Sequence, residues 1–134
     1  MPAKRPAATA AAAALVTENQ VLCHPASVDS IPTSGDQEDH VSMGMTAALK
    51  LQQVMTNAET VLGIEALCAA QAIDLLAPLT PGAGTRRGYE VVRELAPMLQ
   101  RDRYLAPEIE ALAAAVARGA FADIVVHDAD EYHD

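Results

Sequence analysis

Val61-Leu62-Gly63-Ile64-Glu65-Ala66-Leu67-Cys68-Ala69-Ala70-Gln71-Ala72-Ile73-Asp74-Leu75-Leu76 is the stretch against which the rest of the chain has to be understood. No proline interrupts it before Pro78, and its Ala, Leu, Gln and Glu residues enter a helix at little cost. Ile64, Leu67, Cys68, Ala69, Ala70, Ala72, Ile73, Leu75 and Leu76 spread apolar character round most of that helix. A helix apolar on most sides is buried on most sides. It is a poor membrane span, because Glu65, Gln71 and Asp74 interrupt the run from Val61 to Leu79. A chain of 134 residues holds few other elements to cover it, so the expected cover is other chains or a larger body.

Upstream, Leu51, Val54, Met55, Ala58, Val61 and Leu62 recur at helical spacing as one apolar face of the same helix. Its start is expected near Asp36 to Asp39, where carboxylates in a first turn favour the helix dipole and Ser34 or Asp36 supplies a cap. Its end is expected near Ala77, before Pro78. Ala7 to Val21 has high helix propensity; its first half is low-complexity alanine, Leu15, Val16, Val21 and Leu22 are its apolar residues, and Pro25 closes it. Between His24 and Gly35, Pro25, Pro32 and Gly35 with intervening Ser and Thr predict a structured loop.

Downstream, Thr80 to Gly84 reads as a Pro/Gly loop. Tyr89, Val91, Val92, Leu95 and Leu99 suggest a shorter amphipathic helix that Pro97 shortens or kinks. Arg101 to Tyr104 is a connector, and Pro107 opens a last helix with Ile109, Leu112, Ala113 and Val116 inward and its end near Gly119. Phe121 to Val126 is a short apolar segment that pairs or packs. No internal repeat is visible.

Hydrophobic residues make up 51% of the chain but aromatic ones only 3%, with no Trp. Alanine buries little area, so the composition suits helices packed closely on other helices better than a self-sufficient globule. The formal charge of −9 argues against nucleic-acid binding, which needs a Lys/Arg surplus. The acidic residues 127–134 read as a solvated tail, and residues 1–10 as a disordered leader too weakly hydrophobic for a signal peptide. Cys23 and Cys68 show no CxxC pairing and are expected to be reduced, buried thiols. A soluble, cytoplasmic chain is the expectation.

The stretch that carries chemistry is His24-Pro25-Ala26-Ser27-Val28-Asp29-Ser30-Ile31-Pro32-Thr33-Ser34-Gly35-Asp36-Gln37-Glu38-Asp39-His40-Val41-Ser42-Met43-Gly44. A loop delivers Gln37, Glu38, Asp39 and His40 to the mouth of a helix, and adjacent carboxylates beside a His do acid/base work when buried. On residue types alone, a solvated acidic helix start outweighs that reading.

This stretch resembles, nearly word for word, the signature of the histidine ammonia-lyases. The similarity extends upstream through Ala12 to Leu22 and downstream through Glu65 to Gln71 and Asp102 to Glu110, so that residues 11–126 are covered. The resemblance implies an all-α, long-helix bundle fragment like the carboxy-terminal part of the fumarase/aspartase-like superfamily. It implies non-oxidative elimination of ammonia from L-histidine to urocanate, in histidine catabolism, by an enzyme that assembles with other lyase chains as a homotetramer. By the same resemblance Glu38 matches the active-site glutamate, and Gln37 lies beside it in the substrate-binding motif. Phenylalanine and tyrosine lyases place an amide at that position, so Glu38 favours histidine over the alternative, an aromatic amino acid lyase or aminomutase. Asp29, Ser30 and His40 are assigned to holding the loop and helix start, and His24 is likewise structural. None of His24, His40, His127 and His133 has zincin spacing, and no metal is expected.

The sequence also departs from the family. Its electrophile is a methylidene-imidazolone group made from an Ala-Ser-Gly triplet, and no such triplet occurs here; Thr33-Ser34-Gly35 belongs to the downstream signature. Gln20 stands where the signature usually has Lys. The chain is therefore expected to be a carboxy-terminal portion of a lyase, inactive alone. The alternatives are a split-enzyme subunit that complements an upstream partner, or a non-catalytic helical oligomerisation module.

Overall fold

In the computed structural model, residues 7–32, 35, 37 and 41–124 are described. They contain helices α1 (Ala7–Leu22), α2 (Gly44–Leu75), α3 (Ala83–Leu95) and α4 (Ala106–Ala117), with turns of 3-10 helix at Ala26–Asp29 and Ala122–Ile124. No strand occurs among the described residues, and the fold is all-α as expected. Among them no helix is long and apolar enough to cross a membrane. The chain divides into two compact units, Met1–Ala58 and Glu59–Asp134.

In the first unit, α1 begins at Ala7, so residues 7–10 of the expected leader are helical; residues 1–6 lie outside the described set. Ala12, Leu15, Asn19 and Leu22 are half-buried and recur at helical spacing, whereas Val16 and Val21 face outward. Asn57 of α2, 3% exposed, is the buried polar residue among the described residues of this unit. Its amide nitrogen donates to Glu18 Oε2 and Asn19 Oδ1, each at 2.8 Å, and its oxygen accepts from Gln53 Nε2 at 3.0 Å. A polar group is tolerated out of water when its donors and acceptors are used in this way. Asn57→Asp keeps the shape but sets a carboxylate against two acceptor oxygens. The variant is expected to lose about 1–3 kcal/mol in a urea titration at neutral pH. The loss should shrink as pH falls toward about 4, because the buried carboxyl takes up its proton above the ordinary carboxylate range and the penalty is gone once the unfolded chain is protonated as well. A loss independent of pH would contradict the donor assignment.

In the second unit, Leu67, Ala70, Val92, Ala96 and Leu112 form the buried core, with Tyr89, Leu95, Leu105, Ile109 and Phe121 packed against it. The backbones of α2 and α4 approach so closely at Gly63 that a Cβ there would lie 2.9 Å from the Ala113 nitrogen. Polar side chains fix the connectors. Gln71 accepts from the Leu99 N–H at 2.8 Å and donates to the Leu99 carbonyl at 3.3 Å. Arg103 donates to Glu108 Oε1 and to the carbonyls of Pro97 and Met98. Asp74 accepts from the Tyr89 hydroxyl at 2.6 Å and from Arg93 Nη2 at 2.5 Å. That hydrogen bond to Asp74, with some desolvation, holds the Tyr89 phenol above its ordinary range, although Arg93 pulls the other way. The carboxy end of α4 closes as a Schellman motif: Gly119 has φ +74°, its N–H bonds the Val116 carbonyl, and the Ala120 N–H bonds that of Ala115.

Some expectations are corrected. Helix α2 starts at Gly44, not between Asp36 and Asp39, because Met43 has φ +51° and a helical run cannot pass through a left-handed residue. Of the expected apolar face, Val54, Ala58 and Val61 are half-buried, but Leu51, Met55 and Leu62 are exposed. The buried face of α2 in the second unit is instead Gly63, Ile64, Leu67 and Ala70. Cys23 and Cys68 are free thiols but exposed, since both project from the outer surface of their units. Residues 121–124 close on α3 as a turn rather than pairing; Val125, Val126 and the acidic tail lie outside the described residues.

Candidate functional site

The signature begins where α1 ends. Cys23 and His24 still donate to the carbonyls of Asn19 and Val21, at 3.0 and 3.2 Å, so the first residues of the loop continue the helix's bonding. Pro25, with φ −58° and ψ 126°, then turns the chain away and leads into the 3-10 turn at Ala26–Asp29. Ser30 follows in an extended conformation. The His24 ring lies 3.3 Å from the Val21 carbonyl through Nδ1, a local contact consistent with its structural assignment.

The far end of the loop is tied back to the near end. The Val41 N–H donates to Ser30 Oγ at 2.9 Å, so Ser30 and Val41 are joined by one hydrogen bond. Two positions later Met43 adopts its positive φ, and its carbonyl accepts the first helical bond of α2, from Ala47 at 3.0 Å. Gly35, with φ +67°, and Gln37 both lie in turns, and Gln37 is exposed. Glu38, the expected catalytic residue, lies outside the described residues, as do Asp36, Asp39 and His40. Among the described residues no group of three or more His, Cys, Asp and Glu converges as a metal site.

A residue that the sequence reading did not single out also meets this loop. Lys50, half-buried on α2, donates its ammonium to the His24 carbonyl. The available signal was a lone lysine amid apolar helix residues in a chain of net charge −9. Beside it lies a cavity of about 290 Å³ whose walls include Leu22, Pro25, Ala26, Ala47 and Val54. A larger apolar groove, about 610 Å³, belongs to the second unit; Ala66, Ile73, Gly88, Tyr89 and Phe121 are among its walls, and it contains no residue of the signature.

Comparison with known proteins gives a consistent result. The sequence model of the aromatic amino acid lyase family matches residues 6–94, reaching upstream of Ala11, where the resemblance was expected to fade. Histidine ammonia-lyase from Gloeobacter violaceus is 56% identical over 108 residues, 81% of this chain and 21% of that protein. Among solved structures, histidine ammonia-lyase from Trypanosoma cruzi superposes with a TM-score of 0.81 at 44% identity, covering 87% of this chain and 23% of that one. Tyrosine aminomutase from Streptomyces globisporus gives a TM-score of 0.80 at 40% identity, covering 90% and 23%. The chain thus spans about a fifth of the length of the curated relatives it matches.

Proposed function

The chain belongs to the aromatic amino acid lyase family, and from that premise we propose that it contributes the Gln37–Glu38 half-site of a histidine ammonia-lyase, which eliminates ammonia from L-histidine to give urocanate. The observation that carries the reading is Glu38 itself. The helix framework is shared about equally with a tyrosine aminomutase, so the backbone does not select the substrate. A carboxylate next to Gln37 does: an ionised carboxylate accepts a strong hydrogen bond from an imidazole N–H, or takes up a proton as the substrate reacts. Two curated relatives, 56% and 57% identical over 108 residues, are named histidine ammonia-lyases, which supports the same choice.

The electrophile of this family activates the substrate's amine for departure, and it is built from an Ala-Ser-Gly triplet that these 134 residues do not contain. In this reading it comes from further lyase sequence, with which the chain assembles in the cytoplasm as part of a homotetramer. The chain's own share is to supply Gln37 and Glu38, which lie in sequence between α1 and α2, binding the imidazole end of histidine and holding or moving its proton.

A second reading, a helical module that only associates, is favoured by the exposure of Leu49, Leu51, Met55 and Leu62 along α2. The two separate in one experiment. The chain is assayed for urocanate by its ultraviolet absorbance, alone and joined to lyase sequence that carries the triplet. Alone it is expected to release none from L-histidine; in the assembly it is expected to release urocanate and to prefer histidine to tyrosine. A stable assembly that releases none would leave only the module.

A further inference from the structure

We propose that the apolar groove of the second unit is the docking site of one α-helix from lyase sequence outside these 134 residues, a helix that presents large apolar side chains to it. The inference rests on membership of the lyase family and not on the half-site reading, so it stands or falls without Glu38.

The first observation is an unexplained glycine. Glycine weakens a helix interior relative to alanine, so a glycine inside a helix calls for a neighbour that needs the room. At Gly63 that neighbour is the backbone of α4, 2.9 Å from where a Cβ would stand. At Gly88, inside α3, a Cβ would meet only Ile124 Cδ1 at the ordinary distance of 3.6 Å. Packing among the described residues therefore does not require Gly88, and its open side lines the groove. The second observation is the spacing of the α2 wall. Leu62, Ala66, Ala69 and Ile73 follow at steps of four, three and four residues, and Leu76 continues the series in the turn after α2, its N–H bonded to the Ile73 carbonyl at 3.1 Å. Alternating steps of three and four are those at which one helix meets another along its length. Leu62 and Leu76 at the ends are 48% and 58% exposed. Between them Ala66, Ala69 and Gly88 leave a space of about 610 Å³, which suits large side chains on the facing element. A second copy docked by two-fold symmetry would set this groove against itself, small residue against small, and leave the space unfilled. Lyase sequence is the better source. The solved histidine ammonia-lyase from Trypanosoma cruzi keeps this fold over 87% of the chain, yet the match covers only 23% of that protein. The greater part of a lyase is thus sequence beyond this segment, against which its open faces can pack.

The test titrates the 134-residue chain with the triplet-bearing lyase sequence and follows binding by sedimentation, so that no activity is needed. Gly88→Ala is expected to raise the chain's own unfolding midpoint in urea and yet to weaken binding about fivefold or more, since the methyl takes space that the incoming helix fills. Ala69→Trp plugs the groove from the exposed side of α2. It is expected to weaken binding about tenfold or more, with helix content and unfolding of the chain unchanged. Glu90→Trp, exposed on the side of α3 away from Gly88, is the control and should bind as the parent does. Should Ala69→Trp lower the chain's own stability, Leu62→Ser, which only removes an exposed side chain, is scored in its place. Binding as tight as the parent's, by Gly88→Ala or by the scored groove variant, overturns the inference. An equal loss from Glu90→Trp overturns it too, because the effect then does not belong to the groove. Changed self-association of the Ala69→Trp chain, with its binding to the lyase sequence intact, assigns the groove to a second copy and overturns it as well. Failure of the unsubstituted chain to bind the lyase sequence at all has the same consequence, whereas a bound assembly that releases no urocanate counts against the half-site alone.

Discussion

Gly63→Ala is expected to destabilise the second unit, although the same change in a helix normally helps. Replacing glycine by alanine in a helix interior is worth about 0.5–1 kcal/mol in favour of folding, because the unfolded chain loses freedom. At Gly63 the new Cβ would stand 2.9 Å from the backbone nitrogen of Ala113 and 3.3 Å from the Leu112 carbonyl carbon and Cβ. Those are main-chain and first-side-chain atoms of α4, and α4 cannot yield without moving Leu112 and Ala115, which are 0% and 1% exposed. Overpacking of this kind costs about 1–3 kcal/mol, more than the propensity gain. Gly63→Val should cost more again, a large fraction of the roughly 5–15 kcal/mol that a small protein has in all. Gly88 provides the internal control: a Cβ there meets only Ile124 Cδ1 at 3.6 Å, an ordinary contact. Gly88→Ala is therefore expected to stabilise. Thermal or urea unfolding followed by circular dichroism should show the two alanine variants moving in opposite directions. A rise in stability for both would mean that α2 and α4 do not approach as closely as Gly63 allows.

The contrast with α4's boundaries shows what sequence carries and what it withholds. Pro107 and Gly119 bracket α4 because each is a backbone statement: proline suits a first turn, and glycine takes the positive φ of the Schellman closure at no steric cost. Pro97 ends α3 and Pro25 ends α1's extension for the same local reasons. The start of α2 was misplaced because the acidic run at Asp36–Asp39 mimics a helix start, whereas the break sits at Met43, a residue type that gives no warning of a left-handed φ. Burial was legible only where this chain provides the partner. Leu67 and Leu112 meet each other's cluster, while Leu51, Met55 and Leu62 are just as apolar and stay exposed. Apolarity tells that a surface wants cover, not which atoms supply it. Asn57 and Gly63 were passed over since each looks like a defect in an apolar stripe, and only the facing helix explains them. Glu38 was read by resemblance and not by physics, for no periodicity or spacing distinguishes it from Asp36 or Asp39.

Glu38→Gln in the active assembly should produce the largest functional change. The substitution preserves size and one acceptor oxygen but removes the charge and the capacity to take up a proton. A positioned general acid/base contributes about 10²–10⁴-fold, and kcat/KM for L-histidine is expected to fall within that range. Because the amide is what phenylalanine and tyrosine lyases carry at this position by resemblance, the variant should also lose part of its preference for histidine over tyrosine. That second outcome separates a role toward the substrate from a merely electrostatic one: general weakening of the site would lower both substrates alike and leave their ratio unchanged. Gln37→Ala is the companion measurement. An amide that only binds substrate contributes one ordinary hydrogen bond, about 1 kcal/mol, and its loss should appear mainly in KM at nearly constant kcat. The half-site assignment then makes an ordered claim: Glu38 governs rate and selectivity, Gln37 governs affinity. If Gln37→Ala proves the more damaging to kcat, the roles within the motif are reversed. If neither substitution moves the rate by more than about tenfold, well short of acid/base catalysis, the half-site assignment fails and the chemistry of the enzyme lies elsewhere.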